Sequence, residues 1–131
     1  DDREDPEQSI LGGARYIRQL IDRLPGRMRE PDRTWMALAA YNVGMHHLED
    51  ARILTQQQGG DPDKWSDVKT RLPLLAKSTW HTKTKYGYAR GYEPVQFVNR
   101  IRLYYGVLRQ VGEETRVVNK NEMIRLKPPG I

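Results

Sequence analysis

The chain has 131 residues, a length that fits one domain or a large piece of one. Its 37% hydrophobic content, with a single Phe, suits a helical core rather than a thick sheet sandwich, and it has no long uncharged apolar run that would span a membrane. The absence of cysteine excludes disulfide and thiol chemistry, while a net charge of +5 and a pI near 9.6 suit either an anionic partner or ordinary solubilising charge. The chain opens on Asp1 with no basic and apolar leader behind it, which reads as a fragment or a processed product.

Asp5-Pro6 reads as a cap followed by proline in a first helical turn. Ile10, Ala14, Ile17, Ile21 and Leu24 then recur at helical spacing up to Pro25-Gly26. Gly12-Gly13 would weaken an isolated helix, so two small residues there suggest the close approach of a neighbour. Pro31-Asp32 starts a second helix, "TWMALAAYN", which is apolar nearly all round and therefore expected at the centre, with Gly44 breaking or turning it. A third helix is expected from about His46 to Gln58, ending at Gly59-Gly60. Asp61-Pro62 opens a short fourth that carries Trp65, Val68 and Leu72 and stops at Pro73.

Positions 74–92 show no clear period and read as a long ordered loop. Glu93-Pro94 launches a last strong helix with a stripe of Pro94, Val98, Ile101, Tyr105 and Leu108, closed by Gly112. The expected organisation is an all-α domain over residues 1–112, followed by a polar tail over 113–131 that is extended or disordered, with at most one short strand near Val117-Val118.

Several chemistries fail on spacing. His46 and His47 are adjacent, point about a third of a turn apart on a helix and cannot share an ion, so no metal site is expected. No phosphate-cradling glycine loop and no nucleophile elbow is present, and no cofactor is expected. Among the acids, Glu93 stands out because it follows aromatics and starts a helix. A helix N-terminus, however, favours the carboxylate, the wrong direction for a general acid, and a capping role is the plainer reading.

Two stretches remain. Between Lys69 and Tyr92 there is no Asp or Glu, while Lys77, Lys83, Lys85 and Arg90 interleave with Trp80, Tyr86, Tyr88 and Tyr92. Rings with positive charge suit a single-stranded nucleic acid or a glycan; alternatively the rings fold back and pin the loop on the helices. In "ALAAYNVG", the Asn42 amide offers donors and an acceptor, as pairing with an N-acetyl group requires. Tyr41 adds a ring for a sugar face, and Gly44 leaves room for a ligand at the helix end. The competing role for Asn42 is a helix cap.

"DPEQSILGGARYIRQLID", "WMALAAYNVG" and "KYGYARGYEPVQFVNRIRLYY", in that order over roughly residues 5–110, resemble the lytic transglycosylases with a goose-lysozyme-like catalytic domain. The resemblance implies a lysozyme-like helical fold that cuts peptidoglycan between N-acetylmuramic acid and N-acetylglucosamine without water. It implies substrate-binding roles for Tyr41, Asn42, Tyr88, Tyr92 and Phe97. It places the catalytic glutamate in a Glu-Ser motif upstream of the Asp-Pro helix, so no catalytic residue is expected in this chain, which alone should be inert. Many members have tyrosine where Phe97 stands, and Tyr86, Tyr88 or Tyr92 could supply the missing hydroxyl. The implied partners are glycan strands, muropeptides and the rest of the catalytic domain, at the periplasmic face of the outer membrane through an anchor outside this chain. The alternatives are a non-catalytic muropeptide-binding domain and a basic module for single-stranded nucleic acid.

Overall fold

The computed structural model describes residues 6–126, which are helical and turn structure with no strand among them. Helices α1 (Pro6–Arg23), α2 (Asp32–Val43), α3 (Met45–Gln57), α4 (Trp65–Val68), α5 (Ser78–His81) and α6 (Tyr92–Leu126) follow in order, with a 3-10 helix at Leu72–Ala76 between α4 and α5. Asp5, expected as a cap, lies outside the described residues. The chain falls into two compact units that meet in sequence at Val98 and Asn99.

In the first unit α2 is central and touches α1, α3 and α4, as an all-round apolar helix must. Met36 to Ala40 are all buried, and Leu20, Leu24, Leu48, Leu54, Trp65, Val68, Leu72 and Leu75 pack with them to form the core. The end of α1 is held by α2. Arg33, one residue into α2, donates to the carbonyls of Ile21 at 2.8 Å and Pro25 at 2.6 Å, and more weakly to Leu24 and Met28. Of these, Ile21 lies in the last turn of α1 and the others in the turn that follows it, so one guanidinium fixes where the helix ends. At the start of α2, Glu30 accepts from the Thr34 amide and hydroxyl. Asp32 reaches instead to the Trp65 amide at 2.7 Å and fixes the start of α4.

Asp63 ties three segments together, accepting from Arg27 after α1 at 2.6 Å and from Arg52 on α3 at 2.7 Å. Burial alone would raise its carboxyl, but the Arg27 and Arg52 guanidinium groups outweigh burial and hold it below the ordinary value of 3.8.

The sequence expectations need correction in four places. The α1 stripe is buried only at its C-terminal end: Leu20 and Leu24 are covered, Ile17 and Ile21 half-covered, and Ile10 is 72% exposed. Pro73 does not stop a helix but sits in the first turn of the 3-10 helix, where a missing N–H costs nothing. Residues 74–92 contain the rest of that helix and α5 rather than loop alone. Finally, Gly112 does not close α6.

The helix runs on to Leu126, so the region expected to be an extended tail, with a strand at Val117-Val118, is helical up to that residue; 127–131 lie outside the described residues. In the second unit Leu103, Tyr105, Val107, Leu108 and Val111 of this helix are more than half exposed, while Ile101 is half-buried. The expected α6 stripe is therefore buried at Pro94 and Val98 but not at Tyr105 or Leu108.

Candidate functional site

The end of α2 carries the two polar residues in question. Gly44, with φ of 98°, separates α2 from α3 in a conformation that favours glycine, and its amide closes α2 on the Ala40 carbonyl at 2.8 Å. The bend leaves Tyr41 and Asn42 on the surface, with Tyr41 42% exposed, directly after five buried residues. Gly44 itself supplies the positive-φ residue at this helix end, and no non-glycine residue among the described residues has positive φ, so Asn42 is not a left-handed cap. Its amide is free to meet a ligand.

Aromatic rings flank Tyr41 on both sides. Phe97, on the first turns of α6, stacks near-parallel to it with centroids 6.2 Å apart, and Tyr16 on α1 lies tilted at 5.8 Å. The close approach expected of the double glycine is not required by the packing: an added Cβ at Gly13 would make an ordinary contact 3.5 Å from the Tyr41 hydroxyl, and at Gly12 it would meet nothing within 4 Å. Tyr16, Tyr41 and Phe97 therefore form one aromatic cluster of the first unit, with Asn42 exposed next to Tyr41 in sequence. Tyr16 is a member that the sequence reading missed, because a lone ring on an amphipathic helix gives no signal of its own.

The basic and aromatic stretch is arranged by alternation. Ala89 and Gly91 are buried, while Tyr88, Arg90 and Tyr92 between and beside them face out. The Ala89 amide donates to the Leu75 carbonyl at 3.1 Å, and Gly91 lies so close to Leu72 that an added Cβ would run into the Leu72 carbonyl. Small residues thus fasten this strip to the 3-10 helix, while the rings of Tyr86 and Tyr88 fold back on His46 and His81, as the alternative reading of the stretch expects. Tyr88 is 56% exposed and Tyr92 38%, and the Tyr88 ring meets His81 edge-on with centroids 5.6 Å apart. Arg90 donates to the Tyr92 hydroxyl at 3.0 Å and faces Glu93 at 3.4 Å. The Tyr92 contact, with the charge of Glu93 behind it, moves the Arg90 pKa up and keeps it a cation.

Tyr86 is held separately. Its amide donates at 2.9 Å to Asp50, a carboxylate only 2% exposed on α3, and its ring stacks on His46 with centroids 4.3 Å apart and 11° between planes. Asp50 carries no sequence signal, since a single acid on a mixed helix reads as surface.

Among the acids near the rings, Glu93 is engaged by Arg90, which suits a carboxylate and not a proton donor. No group of His, Asp or Glu among the described residues could hold a metal ion, and no helix among them is long and apolar enough to cross a membrane.

Residues 1–64 match the family model of the transglycosylase SLT domain. The chain is 59% identical over 117 residues to membrane-bound lytic murein transglycosylase F of Alteromonas mediterranea, covering 89% of this chain and 25% of that protein. It is 60% identical over 111 residues to the protein of the same name from Marinobacter nauticus, with 85% and 22% covered, and 58% identical over 123 residues to that of Hahella chejuensis, with 92% and 24% covered. It spans about a quarter of the length of these curated relatives. This all-α unit is thus similar over residues 1–64 to the transglycosylase SLT domain, and most of the chain is similar to a quarter of proteins named membrane-bound lytic murein transglycosylase F.

Proposed function

We propose that the protein carrying this chain is a peptidoglycan lytic transglycosylase, and that the chain supplies part of its glycan groove. The observation that carries this reading is the exposure of Tyr41 and Asn42 directly after the buried run 36–40 of the central helix, with the Tyr41 ring flanked by those of Tyr16 and Phe97. A carboxamide pairs with the N-acetyl group of a hexosamine by donating to its carbonyl and accepting from its N–H. Tyrosine rings lie against the apolar faces of sugars, and Tyr88 and Tyr92 extend the surface along the strip beyond Tyr86.

The bond cleaved is that between N-acetylmuramic acid and N-acetylglucosamine. A glutamic acid gives its proton to the glycosidic oxygen, and the resulting carboxylate then takes the proton of the muramyl C6 hydroxyl as that oxygen bonds to C1. The C1–O bond breaks, a 1,6-anhydro ring forms, and no water is consumed. We assign this glutamate to the remainder of the catalytic domain, because Glu93, the acid beside these rings, faces an arginine. That remainder is also the partner we assign to the exposed Ile10 and Leu11 on α1.

The relatives are named membrane-bound, and we place the protein at the periplasmic face of the outer membrane, held by an anchor outside these residues. The family match favours a glycan over a nucleic acid as the polymer met by the basic stretch. The test is digestion of purified sacculi by the full-length protein with mass spectrometry of the products. Release of 1,6-anhydromuramyl species is expected; reducing-end muramic acid alone would make the protein a hydrolase.

A further inference from the structure

Asp50 on α3 is 2% exposed and forms no ion pair among the described residues. Its one hydrogen-bond partner among them is the Tyr86 amide, at 2.9 Å. A buried carboxylate met by a single neutral donor is a poor way to stabilise a fold, since an apolar side chain of similar volume serves as well or better. Its effect is local instead. The bond reaches across 36 residues and fixes a segment, between α5 and α6, that no helix contains.

That segment is pinned twice. Asp50 holds the Tyr86 amide, and the Leu75 carbonyl holds the Ala89 amide at 3.1 Å. Between the pins lie only Gly87, which turns the chain with φ of 74°, and Tyr88, which stands 56% exposed. So short a span has few torsions left to vary while both pins hold. Tyr86 in turn stacks on His46 and lines a cavity of about 420 Å³ together with Tyr16, the ring beside Tyr41. The Asp50 bond therefore sets where Tyr86 and Tyr88 stand relative to the Tyr41 cluster.

We infer that Asp50 is a positioning residue for the glycan: it touches no sugar and holds Tyr86 and Tyr88 where a strand bound at Tyr41 continues. The inference rests on the glycan reading above and deepens it by naming what prepares the surface. Such preorganisation acts on affinity, because without the pin the strand must order the segment as it binds. The chemical step, assigned above to a glutamate in the remainder of the domain, does not depend on it.

The test is steady-state cleavage of soluble glycan strands by the full-length protein, run as a cycle of Asp50→Ala, Tyr88→Ala and the double variant. The lost bond changes the population of the ordered segment by about thirtyfold at most. The contacts of Tyr86 with His46 and Lys85, and of Tyr88 with His81, retain part of the order. Asp50→Ala is therefore expected to raise KM about tenfold with kcat within about twofold of wild type, and Asp50→Asn, which keeps an acceptor, about threefold. Beside Tyr88→Ala the Asp50→Ala effect should shrink to about twofold, because its main route to the glycan is already gone.

A merely structural role would lower the amount of active enzyme, and so kcat, and would add fully to Tyr88→Ala. KM unchanged, a loss confined to kcat, or full additivity overturns the inference while leaving the glycan reading in place. Should Asp50→Ala not fold, Asp50→Asn is carried through the same cycle; its rise in KM should vanish beside Tyr88→Ala, and a rise that persists overturns the inference. A wild type that cleaves no glycan removes the glycan reading itself, and the inference with it.

Discussion

Removing the Asp50 carboxylate should free the Tyr86 segment while leaving the helices folded. The bond from the Tyr86 amide, 2.9 Å long, ends on an acceptor that is 2% exposed, so it is charge-assisted and poorly replaced by water. Such bonds contribute about 1.5–3 kcal/mol, and a loss of about 2 kcal/mol is about thirtyfold in the population of the opened segment. Asp50→Ala is therefore expected to speed amide exchange at Tyr86 by about thirtyfold. Ala89, bonded separately to Leu75, should keep most of its protection.

Asp50→Asn keeps an acceptor but not the charge and should fall between, near fivefold for a loss of about 1 kcal/mol. The stacking of Tyr86 on His46 should loosen in parallel and be visible in the imidazole resonances. Exchange at Tyr86 within about twofold of wild type in Asp50→Ala would refute the claim that this carboxylate holds the segment.

Three further outcomes follow from particular contacts. Gly91→Ala should destabilise the first unit by about 1–3 kcal/mol or more in urea unfolding, because its Cβ would run into the Leu72 carbonyl, and a neutral result would contradict that packing. Asp63 titrates below its ordinary value when folded, so its contribution is complete above pH about 4 and is lost as pH falls through the lower folded value. Asp63→Asn should accordingly flatten the acid limb of a stability-versus-pH curve, and an unchanged limb would show that the Arg27 and Arg52 contacts do not stabilise the fold. Asn42→Ala, on an exposed side chain, should change stability by less than about 0.5 kcal/mol yet weaken glycan binding in the full-length protein about tenfold, readable by calorimetry with soluble glycan fragments. Unchanged affinity would remove Asn42 from the groove.

Much of the first unit could be read from residue pattern. "TWMALAAYN" is too apolar to lie anywhere but the centre, and Gly44 does turn the chain there. Tyr41 and Asn42 are exposed, as a binding role would need. What was hidden in the sequence depended on contacts distant along the chain. Arg33 reads as a surface charge and is instead the cap of another helix. Asp50 and Tyr86, 36 residues apart, have no pattern that joins them.

The misread end of α6 has a local cause. A glycine costs a helix only about 1 kcal/mol, and "VLRQVGEETRVV" supplies enough helix-compatible residues around Gly112 to carry it through. The α1 stripe was misjudged for another reason: periodicity shows which face is apolar but not whether anything covers it.

The alternation at Ala89 and Gly91 separates holding from contacting. The two inward positions fix the path of the strip by close backbone packing, and the outward ones add only contacts at the surface. A lineage can therefore exchange Tyr88 or Arg90 for another side chain and retune which polymer is gripped, and how hard, at little risk to the scaffold. Natural variety among related chains should accordingly gather at the outward positions, with the inward pair kept small.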